Sequence, residues 1–206
     1  MQLKDFQLRT LDALSAFLRE ARKVGPKAAF EAMAPGAYRV PLKGKASILP
    51  GDPPYVCLRI PTGGGKTLVA THAVGRAFVD YLDRSHGLVL WLVPSKEIAE
   101  QTLRALRWPR HAYRLALQEA LGSEAIQIKS LPEALALPLS EALAETVVIV
   151  STLQAFRVTA TEGRKVYEDN GQLYAHRDLL KAAHAKGAGL DCFEGTDQPL
   201  CSLRNV

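Results

Sequence analysis

Apolar residues recur at spacings of three and four along residues 5–23, and this period predicts an amphipathic helix. Its predicted inner face consists of Leu11, Leu14, Leu18 and Ala21. Gly25 and Pro26 end the pattern. A second, shorter helix is predicted over residues 27–34, before a Pro-Gly pair. The chain is therefore expected to begin with a helical segment.

Downstream, short apolar runs alternate with helical patterns. The runs at residues 55–60, 88–93 and 146–151 are predicted to be strands, and a weaker strand pattern lies at 125–130. The run at 88–93 is apolar at every position, as expected of a parallel strand that is covered on both faces. Strands that alternate with helices indicate an α/β fold with a largely parallel sheet.

Helices are predicted after the first two of these runs. The inner face of the first is predicted to be Ala70, Val74, Phe78 and Tyr81. Ser95 is the predicted N-cap of the second. The inner face of this second helix is predicted to be Ile98, Thr102, Leu103 and Leu106. Near the end of the chain, residues 159–174 predict a loop and 178–186 a short helix, whereas 189–206 show no element.

Composition excludes several classes of protein. The chain has 206 residues, of which 48% are hydrophobic and 23% charged, as in an ordinary globular protein. Its longest apolar run, residues 88–93, is too short to cross a bilayer, and the N-terminus does not resemble a secretory signal. The three cysteines show no C-x-x-C spacing and predict neither a disulfide framework nor a zinc site. We expect a cytoplasmic protein that does not enter a membrane.

The positive charge is concentrated at the front of the chain. Residues 1–50 hold nine Lys or Arg and four Asp or Glu, whereas the remaining 17 basic residues balance 17 acidic ones. Such a basic flank attracts a phosphate polyanion, but an ordinary solvated surface gives the same count. Charge alone leaves nucleic-acid binding open.

The sequence PTGGGKT at residues 61–67 lies between a predicted strand and a predicted helix. Glycines let successive backbone N–H groups surround a phosphate, and the N-terminus of the next helix attracts the same anion. A lysine at this position reaches the β- and γ-phosphates, and the following hydroxyl binds Mg²⁺. The residues predicted to bind the phosphates are Thr62, Gly63, Gly64, Gly65, Lys66 and Thr67. The alternative is a glycine-rich turn that binds nothing.

One position departs from the general phosphate-loop pattern, because Ile60 stands where a glycine usually begins it. The segment instead resembles motif I of the superfamily 2 helicases and translocases, the RecA-like DEAD/DEAH group. This resemblance implies a P-loop NTPase with a RecA-like parallel sheet flanked by helices, and ATP with Mg²⁺ as ligands. Lys66 and Thr67 are the implied catalytic residues, and Thr67 is the implied metal ligand.

Three further stretches resemble motifs of the same group. Phe6 and Gln7 resemble an aromatic-glutamine pair that reads adenine, although a surface glutamine is the alternative. The stretch VPSKEIAEQ at 93–101 resembles a motif that touches the nucleic-acid backbone, and a plain helix cap is its alternative. The stretch VIVSTLQAF at 148–156 resembles the next motif of this kind. The backbone-binding residues implied by these two stretches are Pro94, Ser95, Lys96, Ser151, Thr152 and Gln154.

Softer phrases at 98–102 and 162–167 narrow the resemblance to the start of the restriction (Res) subunit of type III restriction-modification systems, over residues 3 to about 170. The resemblance implies that the protein contacts the phosphate backbone of double-stranded DNA and has a modification methyltransferase as partner. Two other interpretations stay open. One is a superfamily 2 DNA helicase without a nuclease, and the other is a truncated nucleotide- or DNA-binding module with no catalysis.

The family's Asp-Glu-x-His motif does not occur in the sequence. We therefore expect a fragment, with an N-terminal helical segment at 1–50 that carries the adenine motif and a partial, incomplete ATP-binding domain at 51–206. Alone, it is expected to bind Mg-ATP weakly at most and not to hydrolyse it, because that motif's carboxylates hold the metal and position the attacking water. Apolar strand surface without a neighbour is expected to make the chain poorly stable or self-associating.

The two tryptophans have different expectations. Trp91 lies within a predicted strand and is expected in the core. Trp108 is followed by Pro109 and lies between Arg107 and Arg110. Packing at the end of a helix is the favoured role for this indole, and stacking on a nucleic-acid base is the alternative. The five histidines show no spacing typical of metal ligands.

Overall fold

The computed structural model describes residues 2–34, 36, 38 and 53–156. Its contacts divide the chain into two compact units. The described part of the helical unit comprises residues 2–34, 36, 38, 53–85 and 108–124, and that of the sheet unit comprises 86–107 and 125–156. In chain order, the main elements are α1 (Asp5–Val24), α2 (Pro26–Met33), α3 (Lys66–Arg76), β1 (Leu88–Val93), α4 (Lys96–Arg107), α5 (Ala112–Leu121), β2 (Ile126–Ser130), α6 (Leu131–Ala134), α7 (Leu139–Ala144) and β3 (Thr146–Thr152).

The predicted N-terminal helices are confirmed as α1 and α2. The four residues of the predicted inner face of α1 are all buried. Gly25 separates the helices with φ +87°, a conformation that glycine adopts without strain, and Pro26 occupies the first turn of α2, where it lacks only an unneeded donor. The core of this region contains Leu14, Phe17, Leu18, Ala21 and Ala29.

The helix after the glycine-rich segment is longer than one α-helix, because α3 continues into a π-helical segment at Ala77–Leu82. Of its predicted inner face, only Phe78 is buried. The other buried apolar residues of α3 are Leu68 and Val69, in its first turn. The other three residues are half-buried, so the face prediction was only partly right, because α3 packs against two elements, α1 and α5, and its contacts do not form one stripe.

A close approach of two helices explains part of this difference. Gly75 of α3 lies against α5, and a Cβ atom there would overlap the carbonyl group of Ala120. Only glycine therefore permits this separation between the two helices. In the π-helical segment, Asp80 is 5% exposed, and its Oδ1 accepts a hydrogen bond from Arg19 Nε of α1 at 2.8 Å.

The sheet unit contains a three-stranded parallel sheet in the order β1-β3-β2. Leu88 of β1 is opposite Val147 of β3, and Ile126 of β2 is opposite Thr146. All seven residues of β3 are buried, as expected of a central parallel strand. The α/β class, the parallel sheet and three of the four predicted strands are thus confirmed.

β1 lies at the edge of the sheet that the described residues form, and the prediction that it is covered on both faces was wrong. Leu88, Leu90 and Leu92 are 36%, 41% and 44% exposed and share one face, since alternate side chains of a strand point the same way. Trp91 on the opposite face is half-buried rather than in the core. An unbroken apolar run therefore indicated a parallel strand correctly but not its place in the sheet.

The predicted strand at 55–60 does not form. This segment belongs to the helical unit, whose described residues contain no strand. Because a strand is stabilised by hydrogen bonds to a neighbour, an apolar run without one stays irregular. The exposure of Val56 and Cys57 agrees with this.

The helix after Ser95 is confirmed as α4, but its inner face is only partly as predicted. Thr102 and Leu106 are buried, Leu103 is half-buried and Ile98 is 42% exposed. The loop predicted at 159–174 and the helix predicted at 178–186 lie outside the described residues. None of the described helices is both long and apolar enough to cross a membrane.

Candidate nucleotide-binding site

The glycine-rich loop takes its shape from three consecutive glycines. Gly63 and Gly65 have φ values of +76° and +74°, which L-residues with a side chain rarely adopt. Gly65 is the N-cap of α3, and its carbonyl accepts the first helical hydrogen bond from Val69 N at 3.0 Å. The loop therefore leads directly into the N-terminus of α3.

Gly64 is needed for a different reason, namely space. A Cβ atom there would lie 2.6 Å from Ile60 Cγ2 and 2.9 Å from the Pro61 carbonyl oxygen. The Gly64 N–H donates to that same oxygen at 3.0 Å, which closes a turn. Ile60, the departure from the general phosphate-loop pattern, thus lies against the middle glycine of the loop.

Lys66 and Thr67 form the first turn of α3. The first N–H groups of an α-helix have no partner within the helix, and together with the helix dipole they favour an anion. Lys66 Nζ donates to the carbonyl oxygens of Ile60 and Pro61 at 3.2 and 3.1 Å, so its ammonium group lies over the loop. No bulky group surrounds the loop at Gly63, where a Cβ atom would meet nothing within 4 Å. These residues fit the phosphates of a nucleotide.

Gln7 joins α1 to this loop. Its Nε2 donates to the Gly64 carbonyl oxygen at 2.8 Å, and its Oε1 accepts from Lys4 N at 2.8 Å as part of the N-terminal cap of α1. The residue is 4% exposed, so the alternative of a surface glutamine was wrong. Phe6, the other half of the predicted adenine motif, is half-buried in the first turn of α1.

A metal ion would find few protein ligands here. In the part of the chain that the structure describes, no three His, Cys, Asp or Glu side chains cluster to hold one. The Thr67 hydroxyl is the candidate that the loop offers to Mg²⁺, an ion that retains several waters and phosphate oxygens as ligands.

The residues predicted to contact nucleic acid lie in the sheet unit, at one end of the sheet. Because β1 and β3 are parallel, with Val93 opposite Thr152, Pro94 and Ser95 follow β1 at the end where Ser151 and Thr152 close β3. The two predicted motifs are thus brought together, as expected of the carboxyl ends of parallel strands.

Within this group the side chains differ in exposure. Pro94, Lys96 and Gln154 are exposed, whereas Ser151 and Thr152 are 5% and 7% exposed. The Ser151 and Thr152 side chains are therefore buried, and Gln154, which follows β3, is the exposed one of the three predicted residues in this stretch.

Ser95 has local partners. Its Oγ accepts from Ile98 N at 3.4 Å, so the predicted N-cap is confirmed. A hydrogen bond from the same hydroxyl lowers the pKa of Glu97. Sequence reasoning missed the Ile60 and Pro61 carbonyls as partners of Lys66, since backbone groups leave no signal in residue type.

The helices, the parallel sheet and the glycine-rich loop at a helix N-terminus are consistent with part of a RecA-like helicase domain. Residues 43–164 match the family DEAD/DEAH box helicase, and the chain belongs to this family. No curated protein and no solved structure matches the chain.

Proposed function

We propose that the chain is the ATP-binding motor segment of a DNA translocase, and that it acts as the restriction subunit of a type III restriction-modification system. In this role the full protein moves along double-stranded DNA with a modification methyltransferase as partner, in the cytoplasm. Family membership supports a nucleotide-binding helicase motor. The finer assignment to restriction rests on the sequence resemblance.

The observation that carries the nucleotide-binding part is the geometry of the loop. Backbone N–H groups from Gly63 to Thr67 lie where α3 begins, and Lys66 already places its ammonium group over the loop. We infer that Lys66 exchanges its two carbonyl contacts for phosphate oxygens, because a charge-assisted hydrogen bond is stronger than one to a neutral carbonyl.

The other residues have supporting roles in this proposal. Thr67 provides one oxygen ligand to Mg²⁺, which neutralises phosphate charge when it is bound. Thr62 lies at the open start of the loop. Phe6 and Gln7 hold adenine. Gln7 has a hydrogen to donate to adenine, because its amide NH₂ carries two hydrogens and the Gly64 carbonyl oxygen accepts only one of them.

Contacts to the DNA backbone are assigned to the carboxyl end of the sheet. Lys96 and Gln154 are exposed there and are available to phosphate oxygens, and Pro94 and Ser95 form the turn between β1 and α4. Ser151 and Thr152 are too buried to reach phosphate with their hydroxyls unless the strand end shifts, so they contribute backbone groups.

Paired lysine variants test both sites in one design. We expect Lys66→Ala to weaken the binding of a fluorescent ATP analogue and to leave duplex DNA binding unchanged. Lys96→Ala should do the reverse and should also reduce the steepness of the salt dependence of DNA binding, by about one unit of slope. Equal nucleotide affinity for the wild-type chain and Lys66→Ala would overturn the nucleotide site.

Hydrolysis and restriction have their own tests. Phosphate release by the 206-residue chain should not exceed that of Lys66→Ala, and an excess would contradict the expected lack of turnover. For restriction, an antibody to residues 1–50 can isolate the native polypeptide for intact mass measurement. A mass far above 22.4 kDa supports a motor segment of a larger protein, as the restriction assignment requires, whereas 22.4 kDa contradicts that assignment, because the 206 residues contain no Asp-Glu-x-His motif.

A further inference from the structure

Trp108 presents its indole to solvent. The residue directly follows α4 and is 62% exposed, so packing at the helix end, the role favoured by the sequence, was wrong. A large aromatic ring that is not buried forgoes the hydrophobic stabilisation that burial would give it. What the indole of Trp108 binds is therefore inferred from the residues around it.

The turn around Trp108 is held in one geometry. His111 N donates to the Trp108 carbonyl oxygen at 3.0 Å, and His111 Nδ1 accepts from Tyr113 N at 3.2 Å as the N-cap of α5. The indole and imidazole centroids are 6.3 Å apart, and the imidazole and Tyr113 ring are 4.8 Å apart, edge to face. The backbone that carries the indole is thus preorganised.

Charge favours an anionic occupant. Arg110 lies in the same turn, is exposed, and forms no ion pair with any residue that the structure describes. Arg107 and Pro109 flank Trp108 directly in sequence and Arg110 follows, rather than further large apolar side chains, so the turn is not the broad apolar patch that a protein partner needs. An exposed indole in the same turn as a guanidinium that has no ion-pair partner among the described residues suits a nucleotide, which has a flat base and a charged phosphate.

We propose that Trp108 stacks on an unpaired nucleic-acid base while Arg110 binds an adjacent phosphate. This inference rests on the proposed nucleic-acid function and specifies it further, because it adds a contact to single-stranded bases. It is separate from the backbone contacts assigned to Lys96 and Gln154.

Tryptophan fluorescence gives a direct test, since the chain has two tryptophans. In a Trp91→Phe background, Trp108 is the remaining emitter. We expect an oligothymidylate to quench its emission, and an abasic oligomer of equal length and charge to quench it much less. Oligouridylate in a parallel titration distinguishes RNA from DNA as the source of the base. Equal quenching by the abasic oligomer would overturn the stacking proposal.

Variants of Trp108 complete the test. Trp108→Ala should lower affinity for the oligothymidylate roughly fivefold or more, as expected for loss of one stacked base, and Trp108→Phe should restore part of it. Leu115→Ala, at a residue that is 50% exposed in α5, is the matched control and should leave affinity unchanged. Unchanged affinity in Trp108→Ala contradicts the proposal.

The outcomes separate this inference from the proposed function. Trp108 emission could fail to distinguish the oligothymidylate from the abasic oligomer while duplex DNA binding stays salt-dependent in Trp108→Ala and nucleotide binding still depends on Lys66. That result would overturn the stacking site alone. If the wild-type chain binds no nucleic acid of any kind, both the stacking site and the DNA-binding part of the proposed function are overturned.

Discussion

Gln7 and Gly64 are 57 positions apart in the chain and are joined by a hydrogen bond of 2.8 Å from the glutamine Nε2 to the glycine carbonyl oxygen. The same amide caps α1 through Lys4 N. One buried side chain thus connects the start of the first helix to the middle of the glycine-rich loop.

We expect Gln7→Ala to lower the free energy of unfolding by about 1–3 kcal/mol, because the buried glutamine makes two part-buried hydrogen bonds to backbone groups and both are lost. Gln7→Glu should keep the acceptor for Lys4 N but lose the donor to Gly64, so it separates the cap from the loop. Urea unfolding measures both. Thr10→Ala, which removes a local bond to the Phe6 carbonyl in the same helix, is the control and should have a smaller effect. An unchanged unfolding midpoint in Gln7→Ala would show that the bond does not stabilise the fold.

Gly63 and Gly65 form a matched pair for a second prediction. Both have φ near +75°, so alanine at either position costs about 1–2 kcal/mol of backbone strain. A Cβ atom at position 65 would also lie 2.6 Å from Gln7 Nε2, whereas one at 63 would meet nothing.

Gly65→Ala should therefore destabilise the chain more than Gly63→Ala. The excess should disappear in a Gln7→Ala background, which a double-mutant cycle of urea midpoints measures. If Gly63→Ala and Gly65→Ala lower the free energy of unfolding equally in the wild-type background, contact with Gln7 is ruled out as a cause of destabilisation.

Glu133 gives a prediction about pH. Hydrogen bonds from the Ser130 hydroxyl and backbone N–H, and then the Arg107 guanidinium, lower the pKa of this carboxyl from 4.5 to about 2. A carboxyl with a lowered folded-state pKa stabilises the fold above its ordinary pKa and loses that contribution as the pH falls toward the lowered value. The loss should therefore lie between about pH 4.5 and pH 2.

Glu133→Gln should destabilise the chain at pH 6, and the difference from wild type should shrink as the pH is lowered below 4.5. Ser130→Ala should flatten this dependence more than Arg107→Ala, because the serine makes the larger contribution. Urea midpoints at several pH values measure the trend. A difference from wild type that does not change between pH 6 and pH 3 contradicts the assignment. Since Glu133 is half-exposed, salt should weaken the Arg107 part.

The exposed edge of the sheet gives a prediction about association. β1 lies at the end of the described sheet, and its uncharged sequence LVLWLV exposes three leucines on one face. Strand edges of this kind pair with other chains. Leu90→Lys should suppress the concentration-dependent self-association of the 206-residue chain in sedimentation velocity.

Val79→Lys introduces the same charge at a residue that is 63% exposed in the helical unit, and serves as control. It should leave association unchanged. A wild-type chain that stays monomeric over the whole concentration range would refute the expectation, and equal suppression by both variants would assign association to net charge rather than to β1.

Local patterns predicted most elements because they depend on neighbours in sequence. The bounds of α1 and α2 follow from a three-to-four period and from Gly25 and Pro26, and the cap of α4 follows from Ser95. The strands at 88–93, 125–130 and 146–151 were found from apolar runs. The glycine-rich loop was found from its three glycines, each of which is required by a positive φ or by a lack of space for a Cβ atom.

What failed depends on residues distant in sequence. The run at 55–60 has the composition of a strand but no neighbour among the described residues, and composition cannot supply one. The burial of β1 depends on its place in the sheet order, and the burial of Gln7 depends on a loop 57 positions away. Packing was favoured for Trp108 because most tryptophans are buried. That frequency does not predict the exposure of one particular side chain in a turn.

The close approach of Gly75 to the Ala120 carbonyl group affects the position of the glycine-rich loop. α3 is a rigid rod with Lys66 at one end, and Gly75 lies nine residues, roughly 13 Å, along its axis. A side chain at position 75 would push this rod away from α5 and tilt its far end, and with it the residues assigned to phosphate. The alignment of the proposed nucleotide site is therefore set at a distance, by the absence of a single methyl group where two helices touch.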